Sequence, residues 1–332
     1  MKYSIIIPVY NAEKYVLKAL ESLKNQTYQD IEIVVVNDGS TDKSEEVILD
    51  FIKFNPKLNV KYQLNKNAGP STARNAGIQL STSEYICFLD ADDRFECHLF
   101  EDATKLLEKD PTADAIYYGF DDLDENDNII NHYLDVFSYM DELNGIEVVQ
   151  NKYLKKIWPM TCNIIYRRDI IVNNDVTYPE GVYLGEDACF IYKAFMNCKR
   201  VRALPKSYYL KTYIPTSLWN NKFSGKCITE FKAIRNTLAY IEEHHIEGVF
   251  DYINSLYYHT RVTVAKKMIK ASKWYQVFKF MKMNRKYIPK LKKPKVLIFS
   301  RKQKVETGIY NFSKFLFFYF VKFFFVFHEE HI

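Results

Sequence analysis

Two kinds of apolar spacing alternate through the first third of this chain, and that alternation leaves few folds open. Residues 4–9 (SIIIPV) have the spacing of a strand, and residues 13–25 that of a helix with Val16, Leu17, Leu20 and Leu23 on one face. Residues 31–36 (IEIVVV) are a near-continuous apolar run, which suits a central parallel strand covered on both faces. A helix over residues 42–54 turns Val47, Ile48, Phe51 and Ile52 inward; a strand at 60–64, a helix at 71–80 and a strand at 85–89 follow. Strand–helix units of this length predict an α/β fold with a parallel sheet and right-handed crossovers. With 332 residues, 48% of them hydrophobic, the chain can bury such a sheet and has room for a second domain.

Sheets of this kind bind ligands beyond the carboxyl ends of their strands. On that rim fall Tyr10 and Asn11, then Asn37, Asp38, Gly39 and Ser40, then Asp90, Asp92 and Asp93. NDGS alone is as good a turn and helix cap as a ligand site. Three polar clusters on one rim say more. The stretch YICFLDADD (residues 85–93) sets three carboxylates directly after a buried strand, where they repel each other unless something positive sits among them. A divalent cation is the expected partner, because hard metal ions take oxygen ligands.

Past Phe95 the alternation loosens. Residues 115–120 (AIYYGF) and 163–168 (NIIYRR) read as strands, the acidic stretch DDLDEND (121–127) as a solvated loop, and residues 182–197 as containing a helix with Phe190, Ala194 and Phe195 on its apolar face. There is no internal repeat and no Gly/Ser linker, so the second region is expected to pack on the first.

Charge is divided unevenly. Residues 252–305 hold 16 Lys and Arg and no Asp or Glu, so the remainder carries 30 basic against 41 acidic residues. A block of that kind attracts polyanions; no nucleic-acid-binding motif accompanies it, which favours anionic lipid over nucleic acid. Residues 315–327 are apolar except for Lys322, yet too short for the ~20-residue span of a bilayer. They suit the membrane interface, with docking on the protein's own core or a homo-oligomer contact as the other readings. Six cysteines (Cys87, Cys97, Cys162, Cys189, Cys198, Cys227) without a CxxC pair or regular spacing point to a reduced, cytosolic protein rather than a disulfide scaffold or zinc site. The opening MKYSIIIPVY reaches Pro8 after too short an apolar run for a signal peptide.

IIIPVYNAEKYV, VVVNDGSTDKS, NAGPSTARNAGI, YICFLDADD and GEDACF, taken together, resemble the family-2 glycosyltransferases with a GT-A fold. The resemblance covers roughly residues 1–219. It implies a GT-A catalytic domain over 1–221, with a nucleotide-sugar part to about residue 95 and an acceptor part from 96, followed by a helical, basic C-terminal region (222–332). It implies an inverting hexosyl transfer from a nucleotide-sugar, UDP-linked by preference, to a glycan or lipid-linked acceptor. The expected setting is bacterial surface-polysaccharide synthesis, at the cytoplasmic face of the cell membrane.

The same resemblance implies roles for residues. Asp38 would accept from the nucleotide base, with Pro8, Val9, Tyr10 and Asn11 walling the pocket, and Arg74 would lie near the diphosphate, where a guanidinium makes forked bonds. Asp90 and Asp92 form the DxD pair: Asp92 would ligate Mn²⁺ or Mg²⁺, and Asp90 would face the ribose or a metal-bound water. Asp187 would be the general base, with Glu186 orienting it or an acceptor hydroxyl.

Residues 208–218 (YYLKTYIPTSL) depart from the family pattern, with Lys211 where many relatives carry Arg and Tyr213 where a His is common. Lys211 still meets a phosphate, as a point charge. Trp158 and Trp219 could stack on sugars or belong to the core. Two rivals remain. A sugar nucleotidyltransferase should carry a glycine-rich triphosphate loop, and PVYNAEKYV has no glycine; a silent membrane-bound scaffold would have no use for DxD and GED.

Overall fold

A computed structural model describes residues 1–124, 126–213 and 229–270. They fall into two units, residues 1–181 with 186–213, and residues 182–185 with 229–270.

In the first unit, strands β1 (Tyr3–Val9), β2 (Ile31–Asn37), β3 (Asn59–Leu64) and β4 (Tyr85–Phe88) pair in parallel in the spatial order β3-β2-β1-β4. Helices α1 (Val16–Lys24), α2 (Ser44–Phe54) and α3 (Pro70–Leu80) make the crossovers. β2 is buried along its whole length, as its unbroken apolar run requires. Its one charged residue, Glu32, accepts from Ser4, Lys61 and Thr82. Burial alone would raise its pKa, and these bonds override burial and hold it at about 2. α1 starts at Val16 and buries Val16, Ala19, Leu20 and Leu23; Leu17, expected inward, falls off that stripe and is exposed.

The rest of the sheet is antiparallel at first. Beyond β4 come β8 (Ile164–Arg167) and β6 (Ala115–Leu123), each antiparallel to its predecessor, then β9 (Val201–Thr212) parallel to β6. The short β5 (Arg94–Phe95) pairs with the far end of β9, and β7 (Ile129–His132) pairs with β6. Helices α4 (Leu99–Lys109), α5 (Gly145–Tyr153), α6 (Arg168–Val172) and α7 (Glu186–Met196) complete the unit.

The acidic stretch at 121–127 is not a solvated loop throughout. Asp121 and Asp122 are buried on β6, because each has hydrogen-bond partners there: Asp121 meets His132 at 2.7 Å and accepts from Ser207, and Asp122 accepts from Asn131 and Tyr133. Only from Asp124 onward does the chain turn outward, with Asp124 capping the turn by accepting from the N–H groups of Asn126 and Asn128.

α5 begins with a capping box in which the Asn144 side chain accepts from the N–H of Glu147 and the Glu147 carboxylate accepts from the N–H of Asn144. Its first residue, Gly145, lies so close to α7 that a Cβ there would stand 1.6 Å from the carbonyl oxygen of Phe195.

In the second unit, α8 (Thr229–Glu243) and α9 (Phe250–Lys270) bury Phe231, Ile234, Leu238, Ile253, Tyr257 and Val264, with Phe231 edge-on to Tyr257. The Thr229 hydroxyl accepts from the N–H groups of Tyr183 and Leu184 and so ties residues 182–185 to α8. No helix among the described residues is long and apolar enough to cross a membrane. Trp219, the basic block beyond residue 270 and the aromatic stretch at 315–327 lie outside the described residues.

Candidate active site

Parallel register brings the ends of β1 and β2 level, Val9 beside Asn37, so the loops after them meet on one rim. The N–H of Asn11 donates to Ser40, and the Asn11 side chain accepts from the N–H of Thr41. Asn11 itself has a φ of 50°, a left-handed conformation that Asn tolerates better than most residues. Pro8 and Val9 are built into the rim, while Tyr10 is 53% exposed above it. Asp38 is buried; its two oxygens accept from the N–H groups of Ala68 (3.0 Å) and Gly69 (2.8 Å). It therefore fixes the loop that leads into α3, and each oxygen keeps a second lone pair for another donor.

That loop sets α3. Gly69 takes a φ of 96°, Pro70 starts the helix, and Gly77 packs directly on Ile6 of β1. One turn before Gly77, Arg74 is carried over the rim and buried. Its guanidinium donates to Asp90 at 2.8 Å and to Asp187 at 3.4 Å, and its plane lies 5.3 Å from the Tyr178 ring. Burial works against the charge, and the two carboxylates more than restore it, so the Arg74 pKa is raised. Tyr178 is itself fixed, stacked on Phe190 at 4.0 Å, with its backbone exchanging two hydrogen bonds with the Asn75 side chain.

The three carboxylates after β4 part company. Asp93 turns away from the rim and is buried, accepting from the Tyr209 hydroxyl and from the N–H of Thr212 at 2.7 Å. Burial and the charges of Asp92 and Asp90 push its carboxyl well up. It anchors β9 to the end of β4 through these two bonds. Asp90 holds Arg74. Asp92, half-buried, has no ion pair among the described residues; burial and then Asp90 push it up to about 6, with Lys211 and Arg74 pulling the other way. Asp92, desolvated and without an ion pair, beside Asp90, which keeps oxygen lone pairs besides its bond to Arg74, is a donor set that fits a hard divalent ion. Lys211 stands on β9 close enough for its charge to reach Asp92.

Glu186 and Asp187 form the first turn of α7, where the helix dipole favours anions. Asp187 is 47% exposed and paired with Arg74. Glu186 is more enclosed, and burial followed by the charge of Asp187 pushes it up to about 7. Its folded pKa thus lies above the unfolded value of 4.5, so its proton stabilises the fold fully below pH 4.5 and that contribution is lost as pH rises through 7. Glu186→Gln, which cannot ionise, should therefore gain melting temperature relative to the natural chain between those limits. Melts of both proteins across the range check this; a difference that stays constant with pH would refute it.

The geometry joins Arg74, Asp90 and Asp187 directly, brings Asp92, Lys211 and Glu186 within reach of their charges, and leaves Pro8 to Asn11 and Asp38 along the same rim. Sequence reasoning missed Tyr178, Asn75 and Tyr209, which support Arg74, α3 and Asp93. Asn75 was within sight, next to Arg74 in the STARN stretch; the two tyrosines carry no local signal among 26.

The glycosyl transferase family 2 model matches residues 4–173. The chain is 30% identical over 216 residues to the uncharacterized glycosyltransferase EpsJ of Bacillus subtilis, covering 65% of this chain and 62% of EpsJ. It is also 30% identical over 229 residues to the poly(ribitol-phosphate) beta-N-acetylglucosaminyltransferase TarS of Staphylococcus aureus, covering 64% of this chain and 36% of TarS. The chain thus spans less than two thirds of either relative. Among solved structures, S. aureus TarS 1–349 in complex with UDP-GlcNAc matches with a TM-score of 0.65 at 25% identity, over 79% of this chain and 73% of that one. The mixed sheet with its flanking helices is the GT-A fold that the motifs led one to expect. Since the family match runs over half of the chain and through the first four of the five motifs, this protein is a member of glycosyl transferase family 2.

Proposed function

We propose that the protein moves a sugar, with inversion, from a UDP-linked donor to a glycan or lipid-linked acceptor in the synthesis of a bacterial surface polymer. The observation that carries the proposal is Arg74, which draws the DxD carboxylate Asp90 and the GED carboxylate Asp187 to one guanidinium. Donor and acceptor chemistry then meet at one point. UDP-GlcNAc bound to TarS, and the polymer in that relative's name, support the donor and acceptor classes.

Asp187 takes the proton of the acceptor hydroxyl. The acceptor oxygen forms its bond to the anomeric carbon as the bond from that carbon to the diphosphate oxygen breaks, and the electron pair leaves with UDP. Asp38 and the Pro8 to Asn11 wall hold the nucleotide; Arg74 and Lys211 face the diphosphate charge. Asp92, with Asp90, would hold Mn²⁺ or Mg²⁺, which supplies charge neutralisation for the departing diphosphate. The basic block over residues 252–305 favours work beside an anionic membrane.

Calorimetry of UDP binding with Mn²⁺ and with EDTA tests the donor half. Binding should be strong with the metal and weak without it, because Asp90, Asp92 and the diphosphate repel each other when no cation bridges them. Asp92→Ala should weaken UDP–Mn²⁺ binding. Equal affinity in both conditions, or normal binding by the variant, would sink the metal assignment.

A further inference from the structure

Gly145 at the start of α5 lies against the carbonyl of Phe195 near the end of α7, and Lys152 near the end of α5 feels the charge of Asp187 near the start of α7. The two helices therefore run antiparallel. Lys152 is seven residues beyond Gly145, and Asp187 eight residues before Phe195. At about 1.5 Å of rise per residue the two side chains start from the same level.

Lys152 is held in place by neutral groups. Its ammonium donates to the carbonyl of Pro159 at 2.5 Å and lies 5.0 Å from the centre of the Trp158 ring. Trp158 is in turn stacked on Phe137 at 5.4 Å, and Phe137 packs with Tyr133 and Phe120. The tryptophan is thus engaged in steadying a cation rather than offered bare to a sugar. Among the described residues Lys152 has no carboxylate partner, since Asp187 pairs with Arg74 instead. Burial draws its pKa down to about 8, which leaves it charged at neutral pH.

A half-buried ammonium that already has one carbonyl and one aromatic face, and lacks a counter-ion, is a site for an anion. We propose that Lys152 binds a phosphate group of the acceptor beside Asp187, and that the acceptor is a phosphate-bearing glycan. This rests on Asp187 facing the acceptor hydroxyl. A phosphate oxygen accepts from the ammonium as from a point charge, and the attraction is strengthened by the low local dielectric. The remaining acceptor atoms then extend toward Asp187, so the cation selects the substrate and sets its register. Such a phosphate could be a diester within a polymer or a terminal monoester.

Saturation-transfer NMR separates these, with UDP and Mg²⁺ present to fill the donor side and with sn-glycerol 3-phosphate, bis(glycerol) phosphate and glycerol as probes. The full chain should bind one or both phosphates and not glycerol, and the phosphate bound more tightly names the source. Lys152→Gln keeps a donor for the Pro159 carbonyl but loses the charge, and should bind that phosphate about 10-fold more weakly or worse. Lys152→Arg should keep most of the binding. Equal binding of phosphate by the natural chain and Lys152→Gln, or of phosphate and glycerol by the natural chain, would overturn the proposal. Loss of binding in Lys152→Arg as well, with an unchanged melt, would overturn it too. UDP–Mn²⁺ calorimetry on the same proteins reports the donor half separately, so failure of the proposed function and failure of the Lys152 site read differently.

Discussion

Asp187→Asn should abolish sugar transfer while leaving UDP binding nearly as it was. The amide matches the carboxylate in size and, at a position 47% exposed to water, brings no packing change. Arg74 keeps its shorter bond, 2.8 Å to Asp90, so the donor side of the site stays charged and ordered. What the amide lacks is a lone pair basic enough to take the acceptor proton. Loss of a general base lowers turnover by ~10²-fold or more. Transfer assays beside UDP calorimetry check both halves of the expectation. Near-normal turnover would place the base elsewhere, and Glu186, one residue away with its carboxyl near neutrality, is the group to replace next.

Gly145→Ala should have the largest effect on the fold. The added methyl would meet three backbone atoms, the oxygen and carbon of the Phe195 carbonyl at 1.6 and 2.6 Å and the oxygen of Cys198 at 2.9 Å. None of them is the end of a flexible side chain, so α5 has to withdraw from α7 and give up the 3.0 Å bond from its first N–H to Cys198. Overpacking of this kind costs about 3 kcal/mol, or more where backbone is forced to move. In a unit of this size that lowers the melting temperature by roughly 6–12 °C. An unchanged melt would mean that the two helices are not in the register described. Because α7 carries Glu186 and Asp187, activity should fall at temperatures where the variant is still folded.

The parallel half of the sheet was legible in the sequence because its signals are local. Each strand is a short apolar run followed at once by the polar residues of its own rim loop, and Asp38, Asp90 and Asp92 stand out within a few residues of the strands that position them. The antiparallel half was harder to read. β9 contains Pro205 and shifts register against β6, so no clean alternation marks it. Asp121 and Asp122 look like solvent-loving residues until His132, Ser207 and Tyr133 arrive from other segments to partner them. Asp93 looked equivalent to Asp90 and Asp92, and only Tyr209, more than a hundred residues later, tells it apart. The same holds within the site. Motif resemblance assigned Arg74 to the diphosphate alone, since nothing near it in sequence announces Asp187.

The shared guanidinium also bears on how members of such a family can be recombined. Arg74 lies on α3, in the parallel part of the sheet, and Asp187 on α7, more than a hundred residues later, yet one guanidinium holds both Asp90 and Asp187. A chimera cut near residue 95, with the first part from one enzyme and the rest from another, inherits the two ends of the Arg74–Asp187 contact from different parents. The junction to preserve is therefore not the peptide bond where the halves are spliced but the salt link that crosses between them. Swapping donor specificity should succeed only where the incoming helix brings an arginine to the level of α3 that Arg74 occupies.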